Sequence, residues 1–276
     1  LKGVVTAEIG HETDEVAQAV EAQAVAARTY VAGHINQYAS EGFDLVPTVM
    51  DQVYRPDKRH PNGDRAVEAT RALILTHDDR PIRANYASTC GGRTAAVDES
   101  FDADPLPYLV SREDKLGEGI CCRTSSVYRW DIAWTGQELV QILAETVPEV
   151  TGKPWKGSAI RDLKIMEKGP SGRVTELRVR TDLAEYTLKK GAIRRAFTRP
   201  GGGWMRSTAV EFKLERRNDR VERVIAEGKG WGHGVGMCQW GAMQLSKEGY
   251  DFRTILEHYY PGTTLKPWYV VQAAAE

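Results

Sequence analysis

The sequence EAQAVAARTY, residues 21–30, lies in the middle of the longest helical pattern in the chain. Apolar residues recur there at three- and four-residue steps, and these are Val16, Val20, Ala24, Ala27, Val31 and Ile35. This spacing places them on one face of an α-helix. Thr13 or Asp14 is suited to cap its first turn. The pattern therefore predicts a helix within residues 13–39.

Helical and hairpin patterns are segregated along the rest of the chain. Strand patterns joined by short turns fall at 160–167, 174–180 and 184–188, and again at 210–215 and 221–226. Helical patterns fall at 135–146, 237–247 and 252–259. We therefore predict an α+β fold, with helices packed on mixed or antiparallel sheets. We expect one domain over residues 1–276, in which residues 126–206 form a smaller inserted lobe.

Composition narrows the class of function. The chain has 276 residues, of which 41% are hydrophobic and 27% charged, and its formal net charge is -1. This balance gives no overall electrostatic drive toward nucleic acid or an anionic membrane. No apolar run approaches the ~20 residues of a membrane span. The chain begins at Leu1 without a signal peptide, which leaves export open.

Glu8 is a candidate general acid. It ends the apolar run Val4-Val5-Thr6-Ala7-Glu8-Ile9. A carboxyl group among apolar side chains has a raised pKa, because burial disfavours its charged form. A general acid at neutral pH needs that property. The alternative is a solvent-facing glutamate at the end of a helix.

The glycine-rich segment from Gly230 to Gly241 is the least ordinary part of the sequence. Its glycines allow a close approach of the backbone to another group. The segment lacks the spacing of a phosphate-binding loop or a dinucleotide fingerprint. Trp231, His233 and Trp240 suit a sugar better, since aromatic rings stack on pyranose faces. The alternative is a turn packed tightly against the core.

Four cysteines, Cys90, Cys121, Cys122 and Cys238, have three alternative uses. Cys90 precedes two glycines, so with His233 it could form a peptidase-like nucleophile and base. In an exported protein, a disulfide between Cys90 and one of the vicinal pair is the simpler use. A structural zinc is a further alternative, although no CxxC spacing favours it.

Several segments, taken in order, together resemble the stage II sporulation protein D (SpoIID) family, which includes the amidase enhancers. The segments are LKGVVTAE at 1–8, EAQAVAARTY at 21–30, STCGGRT at 88–94, GWGHGVGMCQWGA at 230–242 and ILEHYYPGT at 255–263. Cys122, eight residues before Trp130, also matches. Two positions depart from the family pattern. Ala87 stands where a histidine is usual, which makes zinc less expected, and Cys238 replaces a serine.

The resemblance implies a lytic transglycosylase that cleaves peptidoglycan glycan strands stripped of their stem peptides. Glu8 matches the family's catalytic glutamate. A glycan cleft between two lobes is then expected, lined or positioned by Arg28, Tyr30, Ser88, Thr89, Gly91, Gly92, His233, Gly234, Gln239 and Trp240. Cys90 and Cys122 become the disulfide candidates, with zinc at the same pair as the alternative and no other cofactor. The resemblance also implies an extracytoplasmic location.

A second function is open within the same family. An amidase enhancer would bind glycan or a partner cell-wall amidase without cleaving the strand. Retention of Glu8 favours the enzyme.

Overall fold

A buried, alanine-rich helix lies at the centre of the N-terminal part of the chain. The computed structural model describes residues 1–10, 13–117 and 119–273. Its helices there are α1 (Lys2–Ile9), α2 (Ala17–Gly33), α3 (Pro61–Ala69), α4 (Val97–Ser100), α5 (Gly136–Thr151), α6 (Gly191–Ala196), α7 (Gln239–Lys247), α8 (Phe252–Tyr259) and α9 (Trp268–Ala273). Helix α2 confirms the helix within residues 13–39, but Ile35 lies beyond its end and is exposed.

Small side chains allow α2 to pack on several sides. Ala22, Ala24, Val25, Ala26 and Ala27 are all fully buried. Helices α1, α3, α7 and α8 contact α2. Alanine has no atoms beyond Cβ, so these neighbours approach its backbone closely. The periodicity predicted that α2 is buried on one face. In the structure it is buried on several sides.

The strands form small sheets that are almost entirely antiparallel. They are β1 (Leu73–His77), β2 (Arg80–Pro81), β3 (Tyr86–Ala87), β4 (Lys115–Leu116), β5 (Gly119–Ile120), β6 (Trp130–Thr135), β7 (Ile160–Lys168), β8 (Val174–Thr181), β9 (Glu185–Lys189), β10 (Val210–Arg217), β11 (Arg220–Gly228), β12 (Met237–Cys238) and β13 (Thr264–Pro267). The sheet orders are β13-β1-β2, β10-β11-β6, β7-β8-β9 and β4-β5, while β3 and β12 pair in parallel. The predicted α+β class with antiparallel sheets is confirmed. None of the described helices has the length and apolar character needed to cross a bilayer.

Two hydrophobic clusters hold the chain together. The first surrounds α2 and includes Val5, Leu75, Leu109, Met237 and Ile255. The second is drawn from residues 130–226 and fills the space between α5, α6 and the sheets β7-β8-β9 and β10-β11-β6. The second cluster contains most of the lobe predicted at 126–206 and extends through β10 and β11. The division of the chain into lobes stays a prediction.

Buried charged groups join these two clusters. Arg173, the residue before β8, is fully buried, and its Nη2 donates to the Cys90 carbonyl at 2.9 Å. Glu99 in α4 is also buried and accepts hydrogen bonds from the backbone N–H and hydroxyl of Ser171. Buried polar groups are tolerated only when they are hydrogen-bonded. These contacts therefore fix how the turn between β7 and β8 sits on the first cluster.

The glycine-rich segment packs its backbone against residues 85–89. Its alternate glycines, Gly230, Gly232, Gly234 and Gly236, all have positive φ. A Cβ on Gly236 would lie 1.9 Å from the Asn85 carbonyl oxygen. Within residues 85–89, Tyr86–Ala87 forms the short strand β3, which pairs in parallel with β12. The alternative given for the glycine-rich segment, a turn packed tightly against the core, therefore describes its backbone correctly.

Arg28 binds the C-terminal end of α3 and the start of β1. Its guanidinium donates to the carbonyl oxygens of Thr70 (2.8 Å), Leu73 (2.9 Å) and Val67 (3.1 Å). Carbonyl groups at the end of a helix lack partners within the helix and attract cations. Arg28 therefore contacts the end of α3 and the start of β1. A role of Arg28 in positioning the site would act through the packing of α2 on α3.

We expect Arg28→Met to lower the free energy of unfolding by about 2–3 kcal/mol, because three carbonyl groups lose a charged donor. Urea denaturation followed by circular dichroism measures this change. Arg71→Met is the matched control, since Arg71 is an exposed residue just beyond the same helix. Equal stability of the Arg28 variant and the wild type would contradict this role.

Candidate active site

Glu8 lies in the last turn of α1 with its carboxyl group largely withdrawn from solvent. Its Oε1 accepts a hydrogen bond from the Val53 N–H at 2.7 Å, and the Gln239 side chain donates to the same carboxylate. Both bonds favour the charged form. Burial outweighs them, so the pKa of Glu8 is raised above its ordinary value. This combination suits a group that must hold a proton and then release it.

Neutral amides form the floor beneath Glu8. Gln239, the first residue of α7, donates from Nε2 to Oε1 of Gln23 at 3.3 Å. Gln23 is the fully buried glutamine of the EAQAVAARTY stretch in α2. Nearby, the Tyr86 hydroxyl donates to Oε1 of Gln52 at 2.7 Å. Gln239 therefore contacts the Glu8 carboxylate without adding a charge, and Gln23 holds the Gln239 side chain in place.

Glu8 opens onto a pocket of about 570 Å³. Its walls include the rings of Tyr86, Trp204 and Trp231, together with Ser88. Trp231 keeps 40% of its surface exposed, which is a large fraction for an aromatic ring. Flat exposed rings beside a carboxyl group are well placed to stack on sugars.

Arginine side chains surround the tryptophans of this pocket. The guanidinium of Arg206 lies 5.1 Å from the Trp231 ring centroid, that of Arg199 lies 5.9 Å from the same ring, and that of Arg194 lies 5.7 Å from Trp204. In the described parts of the chain, none of the three forms an ion pair with a carboxylate. Burial, reinforced by neighbouring guanidiniums, lowers the pKa of Arg194 to about 10, which leaves it charged at neutral pH. This wall is therefore suited to an anionic ligand.

The positive wall continues into a second pocket, also of about 570 Å³. The two pockets share Val49, Arg194, Trp204 and His233 as lining residues. Lys189, Lys190 and Arg195 line the second pocket. Asp102 lines the same pocket and pairs with Lys190 at 3.4 Å, while Lys189 pairs with Glu176 at 3.3 Å. The positive charge available to a ligand in the second pocket therefore comes mainly from Arg194 and Arg195.

His233 is held as a neutral imidazole. Its Nδ1 accepts a hydrogen bond from the Val235 N–H at 3.0 Å, and the ring also bonds to the backbone of Tyr86. Burial and the charges of Arg194, Arg173 and Arg83 lower the pKa of His233 to about 3. The ring shapes the wall shared by the two pockets.

Cys90 and His233 are engaged with different partners. The Cys90 Sγ contacts Cys122, at 3.6 Å, and Asp114 Oδ2, at 3.0 Å. Since the His233 ring bonds to backbone groups, the geometry gives no support to a peptidase built on this pair.

Asp51 is the second carboxylate in the first pocket, and its oxygens are already occupied. Tyr30, predicted to position the site, donates its hydroxyl to Asp51 Oδ1 at 3.1 Å. Gln37 and the Val46 N–H also donate to this carboxylate. Asp51 therefore anchors the loop that carries Val53, which in turn bonds to Glu8.

The remaining predicted site residues are placed differently. Ser88, His233 and Gln239 line the pocket with Glu8. Thr89 is buried and bonds to Ser125, while Gly91, Gly92 and Gly234 pack against Lys229, Ile120 and Arg173, respectively. Trp240 lines another cavity, beside Ile9 and Met243. A direct contact with substrate at these positions stays a prediction.

Comparisons with known proteins identify the family of this chain. The stage II sporulation protein family matches residues 1–77, and a domain of unknown function matches residues 110–236. A stage II sporulation protein D of Bacillus amyloliquefaciens is 29% identical over 285 residues, covering 95% of this chain and 72% of that protein. The chain belongs to the SpoIID family. The resemblance seen in the motifs is confirmed.

Two further relatives are longer than this chain. An uncharacterized protein of Brachyspira hyodysenteriae is 29% identical over 268 residues, and an amidase enhancer of Bacillus subtilis is 27% identical over 306 residues. Each alignment covers 96% of this chain. The chain spans 65% of the first protein and 40% of the second.

Several pocket residues of this SpoIID chain were missed by sequence reasoning. They are Asp51, Val53, Tyr86, Arg194, Arg199 and Trp204. The run Pro200-Gly-Gly-Gly-Trp204 was a usable signal, since proline and glycine mark a loop and binding residues are frequent on loops. The other residues come from distant segments and carry no local pattern.

The structure brings together Cys90 and Cys122, the two predicted disulfide candidates of this SpoIID chain. Cys90 and Cys122 are buried neighbours with free thiols, and Cys238 lies beside them together with Asp114. These four residues are the only such group in the described part of the chain that could hold a metal. A disulfide between Cys90 and Cys122 stays a prediction.

We expect Glu8→Gln to be more stable than the wild type at neutral pH. The folded-state pKa of Glu8 is raised, so ionisation of Glu8 destabilises the fold as the pH rises through that pKa. The difference should disappear at acidic pH, where Glu8 is protonated in both folded and unfolded chains. Thermal melting across pH 4–8 measures it, with the exposed Glu15→Gln as control. A stability difference that grows toward acidic pH would contradict the raised pKa.

Proposed function

We propose that this chain is a lytic transglycosylase of peptidoglycan that cleaves between N-acetylmuramic acid and N-acetylglucosamine. The observation that carries the proposal is Glu8, whose largely buried carboxyl group has a raised pKa, on a pocket walled by aromatic rings and arginines. The family membership supports it, and implies an extracytoplasmic location. The cleft between two lobes, expected from the sequence, is then this pocket and its basic extension.

One carboxyl group carries both proton transfers. Protonated Glu8 donates its proton to the glycosidic oxygen as the bond to C1 breaks. The resulting carboxylate then accepts the proton of the C6 hydroxyl, whose oxygen attacks C1 and closes a 1,6-anhydro ring. No water is consumed, so no second carboxylate is needed to activate one. The occupied oxygens of Asp51 agree with this single-carboxylate mechanism.

The arginines give the pocket a preference for free carboxylates. Removal of a stem peptide leaves the lactyl group of N-acetylmuramic acid as a carboxylate, whereas a peptide-bearing residue has a neutral amide at that point. Arg194 and Arg199 lie on the wall shared with Trp204, where they can pair with that charge. Charge-assisted hydrogen bonds of this kind are roughly twice as strong as neutral ones.

We expect Glu8→Gln to lower the rate of cleavage of denuded glycan strands by at least about 100-fold, because glutamine carries no transferable proton. Mass spectrometry of the products should show anhydromuramic ends with the wild type and none with the variant. Glu21→Gln is a matched control on α2, outside the pocket. Products with reducing ends would mean hydrolysis and would overturn the transglycosylase mechanism.

We expect Arg199→Gln to raise KM for denuded strands about tenfold, the effect of losing one charged hydrogen bond of roughly 1.5 kcal/mol. The KM for peptide-bearing strands should change little, since they lack the free carboxylate. Arg129→Gln, which removes a guanidinium stacked on Tyr128, serves as control. Equal changes of KM for both substrates would contradict the carboxylate contact.

The second candidate function is a glycan-binding enhancer of a cell-wall amidase. The alignment with the Bacillus subtilis amidase enhancer covers nearly all of this chain, which favours this alternative. Binding of denuded strands without cleavage, by both the wild type and Glu8→Gln, would support it. A gain in amidase activity on adding the chain would then identify the partner class.

A further inference from the structure

A buried set of four metal-binding side chains lies behind the wall of the pocket. The donor atoms of Cys90, Asp114, Cys122 and Cys238 all lie within 4.8 Å of one another. Cys90 and Asp114 come from loops, Cys122 from a short turn after β5, and Cys238 from the residue that precedes α7. All four residues are buried.

We propose that Cys90, Cys122, Cys238 and Asp114 bind one zinc ion as a structural site. The sequence left zinc open as a use of the four cysteines, with Cys90 and Cys122 as the preferred pair, and the structure joins Cys238 and Asp114 to that pair. Three sulfur atoms and one carboxylate oxygen complete the four-coordinate shell that structural zinc prefers. The proposal is independent of the glycan chemistry proposed above.

The sulfur spacing agrees with a zinc tetrahedron. A zinc–sulfur bond of about 2.3 Å places two thiolates of a tetrahedron about 3.8 Å apart. The observed distance between the sulfurs of Cys90 and Cys122 is 3.6 Å. A disulfide would need about 2.05 Å and would leave Cys238 and Asp114 in the same space without a shared partner.

Groups around the four side chains already orient their donor atoms. The Cys90 N–H donates to Cys238 Sγ at 3.2 Å, and the Gly92 N–H donates to Cys90 Sγ at 3.3 Å. The Tyr259 hydroxyl donates to Asp114 Oδ1 at 2.8 Å, which leaves Oδ2 directed at the sulfur atoms. Hydrogen bonds of this kind fix ligand orientation in metal sites.

A buried cation partly offsets the charge of the site. Three thiolates, one carboxylate and Zn²⁺ carry a net charge of about -2 when the thiols are deprotonated. The fully buried Arg173 guanidinium donates to the Cys90 carbonyl at 2.9 Å. Binding releases the three thiol protons to solvent, and no electron transfer is involved.

The zinc ion would hold two pocket-lining residues, Ser88 and Gln239, in a fixed relation. Cys90 follows Ser88, which lines the pocket, and Cys238 precedes Gln239, which bonds to Glu8. One ion shared by Cys90 and Cys238 therefore holds these two pocket residues in a fixed relation. Asp114, just before β4, and Cys122, just after β5, would be held at the same ion.

The test is made on the whole chain purified under reducing conditions without chelators. Elemental analysis should find one zinc per chain, and X-ray absorption at the zinc edge should show three sulfur neighbours at about 2.3 Å and one oxygen at about 2.0 Å. Replacement by Co²⁺ should give a thiolate-to-cobalt charge-transfer band. No zinc above the buffer blank after refolding with Zn²⁺ would overturn the proposal. In a second preparation purified without reductant, a mass two hydrogens lower, with Cys90 linked to Cys122, would overturn it as well.

Variants separate the ligands from their neighbours. Cys238→Ser and Asp114→Asn should each weaken zinc binding by more than about 100-fold, measured by competition with a chromogenic chelator. Cys121→Ser is the matched control, because Cys121 is the buried neighbour of Cys122 outside the set, and it should keep one zinc per chain. Full zinc retention in both ligand variants would contradict the assignment. If a variant does not fold, the absorption data on the wild type still decide the outcome.

Discussion

The structure depends on the close contact between two stretches of backbone, residues 85–89 and the glycine-rich segment 230–236. Alternate glycines make this contact sterically achievable, since a side chain on Gly236 would collide with the Asn85 carbonyl. Of the residues between these glycines, Trp231 and His233 lie on the pocket wall, whereas Val235 is buried in the first hydrophobic cluster. The same contact delivers Cys238 to the buried thiols and Gln239 to Glu8. One packing constraint therefore sets both the chemistry-bearing surface and the interior behind it.

The surroundings of Glu8 separate two electrostatic tasks. Amide groups beneath the carboxyl are neutral, so burial dominates its protonation. The guanidiniums of Arg194, Arg199 and Arg206 lie beside the tryptophans instead. A cation in direct contact with Glu8 would lower its pKa and remove the proton that an acid must donate. Placing the positive charge along the ligand path allows attraction of an anion without that loss.

Local pattern in the sequence was sufficient for much of the fold. The period of α2, the hairpin at β10 and β11, and the capping box that starts α5 at Thr135 and Glu138 are all readable without tertiary information. The apolar neighbours of Glu8 also indicated its burial. Asp114 and Arg194 gave no such signal, because their importance arises from segments that meet only in three dimensions. Trp240 illustrates the limit of a motif: it follows Gln239 directly, yet consecutive helical residues point about 100° apart, so it lines a different cavity.

Arg173 has a consequence for how the molecule unfolds. Its guanidinium belongs to the strand region of the second hydrophobic cluster, but its acceptors are the carbonyls of Cys90 and Arg93 in the first. If either cluster opened alone, these hydrogen bonds would break. The Arg173 guanidinium would then lose its carbonyl acceptors. Two cores that are separate in their apolar contacts are thereby coupled through one cation. The chain is expected to lose both in a single cooperative transition, so that local opening of the small sheets does not spread the pocket apart.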